Sequence, residues 1–218
     1  MTPLDYVMLA ALLIGVPASA LWRSFRPPAG PRSLSHRLIR TIVKALVLTV
    51  LLASTWSANG RAWSLLGLEW PISRTGLVGL AAAGAFLLIF FIMLAMAKVG
   101  PPPAREVDMI PKTRGELALF LLTSLVIGLG WELLYRGYLV WALEPRLGTV
   151  ASVACASLAY GLAHGGKTLR EWSGPVLMAI LFTIGFVATR SLWWLMLSHV
   201  GLGLIGLMAG RIGQRART

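Results

Sequence analysis

The sequence predicts an all-α protein, a polytopic transmembrane helix bundle of about seven spans. Three observations predict it. First, of 218 residues 57% are hydrophobic and 13% charged, whereas a soluble domain is nearer half apolar and a quarter charged; the mean hydropathy is +0.76. Second, the apolar residues gather into blocks about as long as a bilayer is thick, roughly 17–25 residues. Third, Lys and Arg fall mainly in alternate loops between the blocks, the pattern that sets membrane orientation.

The first block is Leu4–Trp22. Ala18-Ser19-Ala20 resembles a cleavage site, but the preceding MTPLDY has no Lys or Arg and carries Asp5. The positive leader of a signal peptide is missing, so the block reads as a retained helix. The second block is Thr41–Trp56, with Lys44 near its start, and the third is Gly76–Ala97, the most apolar. Val99-Gly100-Pro101-Pro102-Pro103 follows, and no helix continues through it. It divides the chain into a three-helix part (1–99), a cytoplasmic Pro-rich loop (100–115) and a four-helix part (116–218). The fourth block, Glu116–Leu143, carries Glu132 and Arg136. The fifth, Val150–His164, is short; the sixth is Pro175–Thr189; the seventh, Leu192–Gly210, carries His199. Gly203, Gly206 and Gly210 form a stripe suited to close helix packing.

Fourteen Lys and Arg residues lie on one side of these blocks and four on the other. That split places the N-terminus outside and the C-terminus in the cytoplasm of a multi-pass protein of the inner (plasma) membrane. Eight of the nine tryptophans fall at block ends or in loops, as an interfacial belt requires, and only Trp131 is mid-span. The net charge of +12 and pI of about 11.3 fit cationic loops meeting anionic lipid. They do not indicate nucleic acid, because no basic face sits on a folded polar domain. The single cysteine, Cys155, forms no internal disulfide and reads as a small buried hydrophobe.

Chemistry is sought among polar residues that are costly in hydrocarbon. Of eight acids, Glu132 alone lies well inside a span, where an ionised group costs on the order of 2.5–3.5 kcal/mol. Arg136 follows four residues later, on the same helix face and about 6 Å along the axis, so the two form a self-neutralising ion pair in the plainest reading. His164 and His199 stand on two further spans, whereas His36 lies in a basic loop. One glutamate and two histidines on three spans of a small bundle suit activation of a water by a base, with or without a metal. The HExxH pattern is absent. Glu132, His164 and His199 are the candidate ligands if zinc binds, but the ligand count does not demand it.

Three motifs carry a resemblance: Gly130-Trp131-Glu132-Leu133-Leu134-Tyr135-Arg136-Gly137, then Ser157-Leu158-Ala159-Tyr160-Gly161-Leu162-Ala163-His164-Gly165, then Leu197-Ser198-His199-Val200-Gly201-Leu202-Gly203. In order and spacing, over roughly residues 115–210, they resemble the CPBP intramembrane proteases, the group of CAAX prenyl endopeptidases and bacteriocin-processing or self-immunity (Abi) proteins. That family carries EExxxR, FxxxH and HxxxN or HxxxD on successive helices. The resemblance implies an endopeptidase whose site opens toward the cytoplasm. Paired glutamates and the first histidine activate water there, while the last histidine and Asn stabilise the oxyanion. Three departures stand out: Tyr160 replaces Phe, Trp131 stands at the first glutamate, and Gly203 stands at the final Asn or Asp. Trp131, Tyr160 and Gly203 are then expected to line the substrate cavity. The retained set is Glu132, His164, His199 and Arg136. For Glu132 to act as base it has to turn toward the cavity, taking Arg136 with it. Three readings stay open: an active membrane endopeptidase acting on a membrane-associated protein or peptide, an impaired pseudo-protease that binds a membrane partner, and a small transporter with a proton relay.

Overall fold

The structure, a computed structural model, describes residues 1–26, 33–96 and 109–215. Seven helices make up the described chain: α1 (Pro3–Phe25), α2 (Leu34–Ala58), α3 (Arg74–Met96), α4 (Arg114–Glu132), α5 (Leu139–Ala163), α6 (Leu169–Thr189) and α7 (Trp193–Arg215). Local chemistry sets their starts. Thr2 and Asp5 form a reciprocal capping box at α1, and Thr113 with Glu116 forms another at α4, each satisfying backbone donors that have no partner inside the helix. Ser33 accepts the His36 amide at the start of α2.

Among the described residues six stretches are long and apolar enough to cross a membrane, and the longest is Arg114–Ala163, 50 residues. A straight helix of that length would run about 75 Å, more than twice a bilayer core. Gly148 breaks it, with φ 74° and ψ 168°, a conformation essentially confined to glycine. Pro145 just before it has no amide proton to donate. The chain reverses here: the Arg136 guanidinium lies 4.0 Å from the Tyr160 ring centroid, although 24 residues of straight helix would separate them by about 36 Å. The stretch is therefore two passes, giving seven in all and putting the two termini on opposite faces. The expected fourth and fifth blocks are separated at this break, and α6 begins six residues before the expected Pro175. Arg37 and Arg40, expected in a loop, are helical because α2 begins at Leu34. The Pro-rich segment Val99–Pro103 lies outside the described residues.

α4 packs between α2 and α7, α5 packs on α1 and α6, and α3 packs on α7. Between α4 and α5 runs a π-helical turn, Leu133–Tyr138, all six residues of which are buried. It lies at the centre of a core with Met8, Leu12, Trp56 and Leu195. π turns interrupt helices mostly at functional sites. The outer surface is apolar: on α3, Leu88, Ile89 and Met93 are all more than half exposed, as lipid contact requires.

The first helix belongs to this core: Met8 and Leu12 are buried, and Tyr138 donates to the Asp5 carbonyl at 2.9 Å. Asp5, at a block end in the sequence, is 1% exposed and makes a two-pronged pair with Arg61 at 2.8 and 2.7 Å. Arg61 also stacks near the Trp56 and Trp141 rings. Trp56 itself is fully buried and donates to the Ala62 carbonyl at 3.2 Å; it is a core residue rather than part of an interfacial belt. The glycine stripe packs only in part, since Gly206 faces open space.

Candidate active site

The α4–α7 crossing makes the site. A Cβ on Gly128 would lie 3.2 Å from the Val200 backbone nitrogen, so only glycine lets the two helices approach this closely. One turn further along α4, Glu132 meets His199 of α7: Nδ1 donates to Oε1 at 2.7 Å. A carboxylate oxygen only accepts, so Nδ1 carries the proton and Nε2 is turned away from the carboxylate. Arg136, in the π turn, donates to the same Oε1 at 3.3 Å, so the expected i,i+4 pair is present. Glu132 is 0% exposed and Arg136 1%. The other carboxylate oxygen, Oε2, is buried with no partner among the described residues. A buried acceptor in that state costs about 1–3 kcal/mol unless water or a ligand fills the place.

Tyr160 joins the remaining residues. Its ring lies beneath the Arg136 guanidinium, 4.7 Å from the His164 ring and 6.4 Å from the His199 ring. His164 caps the C-terminal end of α5. Its Nδ1 sits 3.0 Å from the Tyr160 carbonyl. A carbonyl accepts, so Nδ1 holds the proton and Nε2 carries the lone pair. The turn that aims His164 closes on α1, where Ser24 accepts the Gly166 amide at 2.9 Å. The structure thus brings Glu132, Arg136, Tyr160, His164 and His199 together from three stretches of chain.

A cavity of about 740 Å³ opens beside this cluster, and Trp131, Tyr160 and His164 line it. Glu132 does not. Adjacent helical residues point about 100° apart; Trp131 takes the cavity-facing direction, and Glu132 is held toward α7 by Arg136 and His199. The sequence-based requirement that Glu132 turn into the cavity is therefore not met. Gly203 lies on α7 one turn beyond His199, not on the cavity. A Cβ there would come 3.3 Å from the Ser124 hydroxyl, so Ser124 occupies part of the space an Asn side chain would need. Lys44, seen in the sequence only as a charge within a block, also lines the cavity, with Nζ 5.6 Å from the Trp131 ring. Its signal was available, since it is the only lysine inside any apolar block.

Zinc at a catalytic site takes three protein ligands. No group of three His, Cys, Asp or Glu side chains suited to a metal occurs among the described residues, and Glu132 Oε1 is already taken by two donors. The donor set does not fit a zinc centre, and no chemical step is derived through one.

Fold and site define a class: a multi-pass helical membrane protein with a buried glutamate, arginine and histidine cluster beside a cavity. Residues 113–205 match the family model described as type II CAAX prenyl endopeptidase Rce1-like. That segment is under half of the chain, and it contains every residue of the cluster. It agrees with the resemblance carried by the three motifs. Comparison with curated proteins and with solved structures returned no match.

Proposed function

We propose that the chain is a membrane-embedded endopeptidase that cuts peptide bonds of a membrane-associated protein or peptide near the cytoplasmic face, through a water activated by Glu132 and His164. The observation that carries this reading is the unpartnered, buried Glu132 Oε2: a water seated there satisfies it and is already hydrogen-bonded to a base. The water oxygen attacks the carbonyl carbon of a substrate in the cavity and its proton passes to His164, the one of the two that lines it. His164 Nε2 is the acceptor that its Nδ1 hydrogen bond leaves open. The proton is then handed to the leaving amine as the C–N bond breaks. His199, held by its Nδ1 bond to Glu132, is the side chain that stabilises the oxyanion in this reading. Arg136 holds the Glu132 carboxylate in place through its bond to Oε1. The cytoplasmic assignment follows from the cationic ends of the helices on the cavity side, Arg23, Arg40, Arg114 and Arg211 among them.

A specific observation favours a second reading. The cavity-facing position belongs to Trp131, and no acid lines the cavity among the described residues. A chain of this kind binds a membrane partner without cutting it. Cleavage of a membrane-peptide library in reconstituted liposomes, read by mass spectrometry, separates the two. The endopeptidase reading expects products from the native chain and none from Glu132→Ala. Products only from the double variant Trp131→Glu plus Gly203→Asn would establish the second reading instead.

A further inference from the structure

The cavity carries a charge that the proposed chemistry does not use. Its lining includes Arg23 near the end of α1 and Arg40 and Lys44 on the first three turns of α2, and no Asp or Glu among the described residues. Lys44 lies within a membrane span, where an uncompensated ammonium is costly. No carboxylate pairs with it among the described residues. The Trp131 face, 5.6 Å from Nζ, compensates it in part, while the like charges of Arg23 and Arg40 oppose it. Trp131 offers this ammonium a ring face and no carboxylate.

Arg23, Arg40 and Lys44, gathered around one cavity with no acid in its described lining, make a seat for an anion. The cavity also opens sideways: Ile39 and Val43 line it and are 47% and 54% exposed on the outer face of α2. We infer that the cavity seats the phosphate of an anionic phospholipid head group, bound by Lys44 and Arg40, with an acyl chain lying along Ile39 and Val43. Arg and Lys are the usual partners of phosphate oxygens, and juxtamembrane cations draw anionic lipid strongly. The lateral opening favours a lipid over a water-borne anion. The inference stands whether or not the chain cuts peptides.

The test is native mass spectrometry of the full chain released from nanodiscs of equal phosphatidylglycerol and phosphatidylcholine. The expected result is retained phosphatidylglycerol in excess, weakened about fivefold by Lys44→Met and preserved by Lys44→Arg. Unfolding temperatures measured in the same detergent show that both variants are folded. Equal retention of the two lipids, or retention unchanged in the Lys44→Met, Arg40→Gln double variant, would overturn it. Displacement of the lipid by millimolar inorganic phosphate would assign the site to free phosphate and overturn the lipid source. Displacement by a peptide with a free C-terminal carboxylate, but not by its amide, would assign it to a peptide end and do the same.

Discussion

At the residue scale the site depends on one carboxylate oxygen with two donors. Glu132 Oε1 receives both Arg136 and His199, and the carboxylate they compensate is itself 0% exposed. Arg136→Ala leaves a buried carboxylate with half its compensation and is predicted to cost about 3–5 kcal/mol of stability. Arg136→Met combined with Glu132→Leu removes both charges and is predicted to cost less than the single change, a comparison made by unfolding in one detergent. Asp5→Ala strands Arg61 between Trp56 and Trp141 and is predicted to cost about 1–3 kcal/mol without altering the Glu132–His199 contact. The Glu132–Arg136 pair was legible in the sequence because spacing alone places the two on one face. The Glu132–His199 bond was not: its partners are 67 residues apart, and it depends on the rotation of α7 against α4. The buried pair Asp5–Arg61 was illegible for the same reason, since a carboxylate at a helix start looks solvated until the loop that covers it is placed.

At the scale of elements, two glycines do different work. Gly148 supplies a backbone conformation in which Cβ is strained, and Gly148→Ala is predicted to cost about 1–3 kcal/mol, read as a lower unfolding temperature. Gly128 supplies space, and Gly128→Val is predicted to push α7 away from α4, lengthening Glu132–His199 and lowering both stability and any cleavage rate. The sequence pointed to a different stripe, Gly203, Gly206 and Gly210, since small residues at helical spacing mark a contact face. It could not show that the tightest approach to α7 came from a glycine on the opposite helix. The number of passes was legible because bilayer thickness fixes block length. The separation of the fourth and fifth blocks was legible too, because Gly148 falls between them and takes a non-helical conformation there.

At the scale of the whole molecule, seven passes put the termini on opposite faces, and the proposed cytoplasmic C-terminus rests on the cationic helix ends. With Cys155→Ser as background, an impermeant maleimide added to intact cells is predicted to label Thr2→Cys and to leave Gln214→Cys unlabelled; the reverse labelling would invert the topology. The family-matched segment, residues 113–205, contains the whole cluster, while α1 and α2 supply the cations around the cavity. The central claim is that the water next to Glu132 hydrolyses a peptide bond. Its most direct test is cleavage in ¹⁸O-labelled water of a substrate found by the liposome assay, comparing the native chain with Glu132→Gln at matched folding. The account predicts one ¹⁸O in the new C-terminal carboxyl of the product from the native chain and no product from Glu132→Gln. Labelled product formed equally fast by Glu132→Gln would contradict it.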